Sequence, residues 1–311
     1  MTPAAILGPN AGWKDLEPFA RASGVILQAT IPPPDAQAVL IFGGDGTVHR
    51  HLPTLVENRI PTLIVPVGSG NDFARAIGIR SRQDAFAAWA NFVAGVGVVR
   101  SIDVGTITPI EPLKIGPRSS EHHVLGKVIP FRRPGKASEA GPQHVFCCVG
   151  GVGLDAAANK RANNMSQWMR GRKGYVIAAL QETARWRPVH IRVEFPDAAR
   201  VLEGEATLVA FGNAPEYGGG MRVAPKARLD DGLLDLCFVR RASRSKILRF
   251  FPTVFSGAHL RLPEVEYMQV ERFTIHTEHS MDVYADGEFI CTTPIEVGVR
   301  RQAMQVIVPP R

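Results

Sequence analysis

No run of eighteen consecutive apolar residues occurs in the 311-residue chain, so no membrane-crossing helix is expected. The opening residues MTPAAILGPN lack the basic segment and apolar core of a signal peptide. Cysteine is scarce: Cys147, Cys148, Cys237 and Cys291 form no CxxC pair and no zinc spacing. A disulfide scaffold is therefore not expected, and a reducing cytoplasm is the simplest setting. Aromatic residues make up only 7% and no nucleic-acid motif is present, so no nucleic-acid partner is expected despite a net charge of +7. That charge implies attraction to an anionic membrane face and a nucleotide instead. At this length, with 45% hydrophobic and 21% charged residues, two soluble domains can each bury a core.

What the chain does have is glycine placed after apolar runs. Residues 39–79 repeat one local design twice. The apolar run 39–42 stops at Gly43-Gly44-Asp45-Gly46-Thr47, and a helical pattern follows from about residue 48. The run 62–67 stops at Gly68-Ser69-Gly70-Asn71-Asp72, with a helix from Phe73. Short Val/Ile/Leu runs alternating with helices predict a parallel sheet, with both loops at its carboxyl edge. Glycines allow close backbone approach, and the free N–H groups of a following helix attract anions, so the pair reads as a phosphate cradle. Asp45 and Asp72 stand at helix N-cap positions, where a carboxylate beside polyphosphate requires a bridging cation such as Mg²⁺. A single GGDGT is also an ordinary capped turn. Its recurrence about 25 residues later is what capping does not explain.

Strands are expected at 2–7 and 25–28, with a helix over 13–22 between them, and Asn10 and Gly12 form a weaker third loop. Residues 81–94 have helical spacing, and 96–104 return to strand character. Beyond residues 103–105 the alternating pattern predicts an antiparallel, sandwich-like second domain. Residues 111–142, rich in Gly, Pro and basic side chains, read as an insertion whose His122-His123 pair is a solvent-exposed feature or a metal ligand pair. A strand at 146–149 is expected to enter a glycine-rich turn at 150–155, then a helix with Lys160, Arg161, Trp168, Arg170, Arg172 and Lys173 on a basic face. Further strands are expected at 189–195, 206–211, 234–239 and 272–276. Residues 245–262 are amphipathic and basic, fitting a helix packed on the sandwich, one lying on a membrane, or both. Residues 281–285 and 289–291 flank Asp286-Gly287, the signature of a type I′ hairpin, with Asp286 and Glu288 placed for proton abstraction.

Taken together, GGDGT (43–47), PVGSGNDFAR (66–75), IDVG (102–105), GVGLDA (151–156), GNAPEYGGGMRVAPKARLDDGLLDL (212–236) and DGE (286–288) resemble the diacylglycerol kinase catalytic-domain family of lipid kinases. The pieces occur in the family's order over nearly the whole chain. The resemblance implies an open three-layer α/β domain at 1–104, to which a final strand at 297–311 returns. A β-sandwich-like lipid-substrate domain at 105–296 follows, with the active site in the cleft between the two.

It further implies ATP and Mg²⁺ as cofactors and a lipid hydroxyl, expected to be that of diacylglycerol, as acceptor. Carried over by position, Asp45 and Asp72 are the Mg²⁺–nucleotide carboxylates with Arg75 beside them. Gly43, Gly44, Gly46, Thr47, Gly68, Ser69, Gly70 and Asn71 form the phosphate loops, and Thr30 lines the base pocket. Asp286 and Glu288 form the catalytic pair, Asp286 the base, and Asp231 is a ligand of a structural Mg²⁺. Peripheral attachment to the inner membrane face is implied, and a homodimer stays open. The familiar Asn-Pro-x-Ser-Gly-Lys run is replaced by Gly8-Pro9-Asn10-Ala11-Gly12-Trp13, and the region before GGDGT is short. A non-catalytic lipid or nucleotide sensor and an NAD kinase are the competing readings.

Overall fold

A computed structural model describes residues 2–24, 26–68, 70–111, 141–165 and 172–310. Ser69, His122, His123, Trp168 and Arg170, with nearly all of the 111–142 insertion, lie outside the described residues. The first half alternates β1 (Ala4–Leu7), α1 (Trp13–Ser23), β2 (Leu27–Gln28), β3 (Val39–Gly43), α2 (Asp45–Asn58), β4 (Thr62–Pro66), α3 (Asp72–Ala76) and α4 (Arg82–Val93). β2, β1, β3 and β4 lie side by side and parallel. All five residues of β3 are buried, as strands covered on both faces require. Helix α4 starts at a reciprocal cap: Ser81 Oγ accepts from the Asp84 N–H at 3.1 Å, and Asp84 accepts from the Ser81 N–H at 2.9 Å. It docks on α1, where the buried Trp89 donates to the Phe19 carbonyl at 3.1 Å.

Antiparallel pairing dominates after β5 (Val98–Pro109). It is followed by β6 (His144–Phe146), β7 (Val149–Gly153), α5 (Leu154–Asn163), α6 (Arg172–Arg185), β8 (Val189–Phe195), β9 (Arg200–Gly212) and β10 (Leu234–Arg240). Helix α7 (Arg244–Phe250) leads through two short 3₁₀ turns, Phe251–Phe255 and Ala258–Arg261, to β11 (Val265–Val270) and β12 (Arg272–Thr277). β13 (Asp282–Ala285), β14 (Glu288–Thr292) and β15 (Ile295–Val308) complete the described strands. Two large apolar cores form, one centred on β3, β4 and α4, the other on Phe146, Phe211, Phe238 and Phe273. β5 and β15 run through both regions, and β15 pairs antiparallel with β5 and β12 and meets β4 in parallel at Val306–Thr62.

Three local expectations change. Residues 150–153 are not a turn but part of β7: a Cβ on Gly150 would strike the Phe211 ring, and one on Gly151 the Asp155 carboxylate. Glycine is there so that neighbours can close over the strand. Helix α6 and strand β11 carry no clear sequence signal, and Asp45 and Asp72 are not N-caps but the first residues of α2 and α3, which Gly44 and Asn71 cap.

The joint between the halves is Asp103, 1% exposed, whose two oxygens accept from the Gly232 and Gln302 N–H groups at 2.7 Å each. Hydrogen bonds to a buried charge are each worth about 1.5 to 3 kcal/mol, so Asp103→Ala is expected to cost about 3 kcal/mol. Urea unfolding checks this; a midpoint unchanged from wild type would remove the pin.

Candidate active site

The registers Leu7↔Phe42 and Phe42↔Val65 bring the ends of β1, β3 and β4 to one edge. The loops leaving that edge are sewn together by backbone. Gly8 N–H donates to the Phe42 carbonyl at 2.8 Å, and Asp45 N–H to the Gly70 carbonyl at 3.1 Å. A Cβ on Gly68 would come within 2.6 Å of the Gly44 Cα, so only glycine lets the two loops meet. Thr47, whose N–H donates to the Gly44 carbonyl, fills the space beside Gly43, while Gly46 faces Glu288.

The Asp45 carboxylate accepts the N–H groups of Asp72 and Phe73 at 3.0 Å each, tying the start of α2 to the start of α3. Burial, and next the charge of Asp72, push its pKa up to about 6, although the two N–H donors pull the other way. Asp72 is buried, pairs with Arg75, and accepts from the Gly219 N–H at 2.9 Å. Arg75 also lies 4.0 Å from Glu216. Asn71 donates to the Gly68 carbonyl at 2.8 Å and leaves its Oδ1 buried with no partner.

The expected catalytic pair sits against this cradle. Asp286 and Gly287 have φ of 51° and 84°, the geometry of the two-residue turn between β13 and β14. Asp286 Oδ2 accepts from the Cys147 N–H and Oδ1 from the Cys148 N–H, both at 2.8 Å. Those peptides are held by Asn213, whose amide donates to the Asp103 and Cys147 carbonyls. Burial pushes both thiols up, so Cys147 and Cys148 stay neutral beside the carboxylate.

His49, one turn along α2 from Asp45, completes the group, its Nδ1 3.1 Å from Asp286 Oδ2. Burial opposes protonation of this ring, but the hydrogen bond to Asp286 and the charges of Asp286 and Glu288 prevail and raise its pKa. Sequence reasoning missed His49, Gly219 and the two cysteine N–H donors. The signal for His49 was its i+4 spacing from Asp45 in GGDGTVH.

Thr30 follows β2 at the same sheet edge and is exposed. Asp231 is not brought to the group. Its carboxylate accepts from the Leu233 N–H at 3.1 Å, and no hydrogen bond or ion pair among the described residues links it to Asp45, Asp72 or Asp286. Among the described residues no cluster of three His, Cys, Asp or Glu is gathered for a metal.

Beside the cradle lies an apolar pocket of about 120 Å³ that opens to solvent. Its walls include Leu154, Ala158, Ala179, Met221, Phe250 and Phe251. One polar group in its lining is the buried Asp155, which accepts from the Tyr175 hydroxyl at 2.6 Å and from that of Tyr217. Burial, only partly offset by those hydroxyls, raises the Asp155 pKa. One loop serves both places: Gly219 donates to Asp72, and Tyr217 reaches Asp155.

Two glycine loops joined at one sheet edge, with an apolar pocket next to them, are the arrangement expected of a kinase acting on a lipid. The profile of the "Diacylglycerol kinase catalytic domain" matches residues 20–107, and that of the "YegS C-terminal NAD kinase beta sandwich-like domain" matches residues 148–308. Over 273 residues, 88% of this chain and 77% of the other, the chain is 36% identical to a diacylglycerol kinase of Mycobacterium tuberculosis. It is 28% identical over 258 residues to a probable lipid kinase YegS-like of Chromohalobacter salexigens, covering 80% of this chain and 69% of that one. A crystal structure of a diacylglycerol kinase from Bacillus anthracis, 19% identical, has a TM-score of 0.65 over 99% of this chain and 97% of that one, which supports the fold. The chain belongs to the diacylglycerol kinase catalytic-domain family and is a lipid kinase, and the kinase family implies ATP as phosphate donor. No helix among the described residues is long and apolar enough to cross a membrane.

Proposed function

We propose that this enzyme moves the γ-phosphate of ATP to the free hydroxyl of diacylglycerol, giving phosphatidic acid, with Mg²⁺ as the cation. The observation that supports the acceptor is the shared loop: its Gly219 donates to Asp72 in the cradle, and its Tyr217, two residues earlier, lines the apolar pocket and reaches Asp155. The apolar lining suits an acyl chain entering from the open side, with the glycerol hydroxyl toward the glycine loops.

The donor set suits Mg²⁺, which takes hard oxygens and needs only one or two carboxylates beside the phosphates. Asp45 and Asp72 keep lone pairs for it, and the orphan Asn71 Oδ1 is a further oxygen of the right kind. When bound, the ion neutralises charge on the transferring phosphoryl group. The chain's own part is to hold the phosphates on the loop N–H groups and the start of α2, to align the acceptor, and to take its proton at the Asp286 end.

Helix α7 edges the pocket with Lys246, Ile247 and Phe250 and turns Arg244, Leu248 and Arg249 outward. A basic side chain near an anionic surface contributes about 1 kcal/mol, so reversing two of them in Arg244→Glu/Arg249→Glu is expected to weaken binding to anionic vesicles by about tenfold or more. Sedimentation with vesicles of about 30% phosphatidylserine, roughly a cytoplasmic-leaflet charge, measures this. Unchanged binding would detach α7 from the membrane.

The function itself is tested by transfer of labelled γ-phosphate from ATP–Mg²⁺ in mixed micelles to diacylglycerol, phosphatidylglycerol, sphingosine and ceramide, with NAD as a separate acceptor. Labelled phosphatidic acid is expected. A different labelled lipid would replace the acceptor and keep the kinase; labelled NAD alone would replace both.

A further inference from the structure

The loop between Glu216 and Arg222 is anchored in the pocket at its base and in the cradle at its tip. Tyr217 and Met221 line the pocket and hold each other: the Tyr217 N–H donates to the Met221 carbonyl at 3.0 Å, and the Met221 N–H returns a bond at 2.9 Å. The Tyr217 hydroxyl donates to the buried Asp155, and the Arg222 N–H donates at 3.0 Å to the carbonyl of Val254, another pocket residue. Between these anchors Gly218, Gly219 and Gly220 have φ of 59°, 83° and 104°, a run that only glycine adopts without strain. The tip reaches across to Asp72, whose Oδ2 accepts the Gly219 N–H at 2.9 Å. Beside it Glu216 lies 4.0 Å from Arg75, the cation paired with Asp72, and 3.6 Å from Arg222.

A pocket contact and a carboxylate of the nucleotide site are therefore two residues apart on one loop. Three glycines leave the tip no preferred conformation of its own, so the base of the loop decides where the Gly219 N–H points. A chain entering the pocket packs on Tyr217 and Met221 and fixes that base. Ordering paid for by one ligand is not paid again by the next.

Resting on the lipid kinase reading, we infer that this loop couples the two substrates: Tyr217 is a positioning residue that, with the pocket filled, sets the Gly219 N–H on Asp72, so that acceptor lipid and ATP–Mg²⁺ each tighten the other's binding. The Gly219 N–H and Arg75 orient the carboxylate that serves the cation. The nucleotide is then held most firmly when an acceptor is present to receive the phosphate. By linkage the effect is equal in both directions.

The test is titration calorimetry of the full-length protein with a non-hydrolysable ATP analogue and Mg²⁺, in empty detergent micelles and in micelles carrying dioctanoylglycerol. Wild type, Tyr217→Phe and Tyr175→Phe are compared, with the urea midpoint of each. In wild type the lipid should tighten the analogue by about fivefold or more, the lower end of ordinary coupling between sites, and the analogue should tighten the lipid by the same factor. Tyr217→Phe keeps its ring in the pocket wall but loses the bond to Asp155. Its affinity in empty micelles should stay within about threefold of wild type while the lipid effect shrinks below about twofold. Tyr175→Phe takes the other hydroxyl from Asp155, but from α6 rather than from the loop, and should keep the lipid effect. A merely structural Tyr217 would lower both affinities together and leave their ratio alone. A wild-type ratio near unity, a Tyr217→Phe ratio equal to that of wild type, or an equal loss in Tyr175→Phe overturns the coupling. The labelled-ATP assay on the same preparation separates this from the function reading. A wild type that phosphorylates dioctanoylglycerol yet binds the analogue equally in both micelles leaves the kinase standing without the coupling; one that labels no lipid overturns the function reading, and the coupling falls with it.

Discussion

Asp286→Asn is expected to lower kcat by about 10³-fold, within the range set by loss of a positioned proton acceptor, while KM for ATP changes little. The argument is one of donors and acceptors. Asp286 receives two peptide N–H groups and faces His49 Nδ1, and it is nearly sealed from water. An ionised carboxylate offers acceptors on both oxygens, whereas an amide offers them on one. In the Asp286→Asn variant the new NH₂ group must point at the Cys147 N–H and His49, or at the Cys148 N–H, and donor then meets donor. In the first case His49 keeps its partner only by switching tautomer so that Nδ1 accepts, and the turn is pushed outward in either. A buried donor left unpaired costs about 1 to 3 kcal/mol, so the urea midpoint should fall by that order and no further. Among the described residues the two glycine loops make no hydrogen bond to Asp286, so nucleotide affinity is the quantity that should hold. Turnover within about tenfold of wild type would show that Asp286 takes no part in the transfer.

The parts of this site that were legible in the sequence are those whose cause is local. GGDGT and GSGND are each a strand end, a glycine turn and a helix start within a dozen residues, and periodicity finds all three. The Asp286-Gly287 turn is equally local, since two positive φ values at neighbouring residues are required by the hairpin itself. His49 was not picked out because its partner lies 237 positions away, and only its i+4 spacing from Asp45 sets it apart from His51, which is buried on the same helix. The N–H groups of Cys147 and Cys148 were hidden for another reason. Backbone donors leave no trace in residue type, and the cysteines themselves read only as small apolar residues. The stretch 150–155 misled because glycine in a turn and glycine under a phenylalanine ring are the same letter; only the arrival of Phe211 on β9 separates them. The domain-scale pattern, helix period first and strand period later, was clear because it is summed over many residues.

Gly44→Ala is expected to weaken ATP–Mg²⁺ binding by at least about a hundredfold, an expectation that rests on backbone rather than chemistry. The added Cβ would fall on the carbonyl oxygen of Gly70 and lie 3.3 Å from the Gly68 Cα. Neither neighbour is a side chain that can rotate away, so the two loops must separate. Separation breaks the Asp45 N–H bond to Gly70 and strains the Asp45 carboxylate's bonds to the Asp72 and Phe73 N–H groups. A phosphate site made of converging N–H groups loses affinity with each donor turned aside, about 1.5 to 3 kcal/mol for a charged acceptor, and two such losses exceed a hundredfold. The neighbouring glycines supply the controls. Gly46→Ala would meet only the Glu288 Oε1 at 3.1 Å, the far end of a flexible side chain, and should cost less than about tenfold. Gly12→Ala meets nothing within 4 Å at an extended φ of −141° and should bind as wild type does. Titration calorimetry with a non-hydrolysable ATP analogue orders the three. If Gly44→Ala binds as well as Gly12→Ala, contact between the two glycine loops is not what makes the nucleotide site.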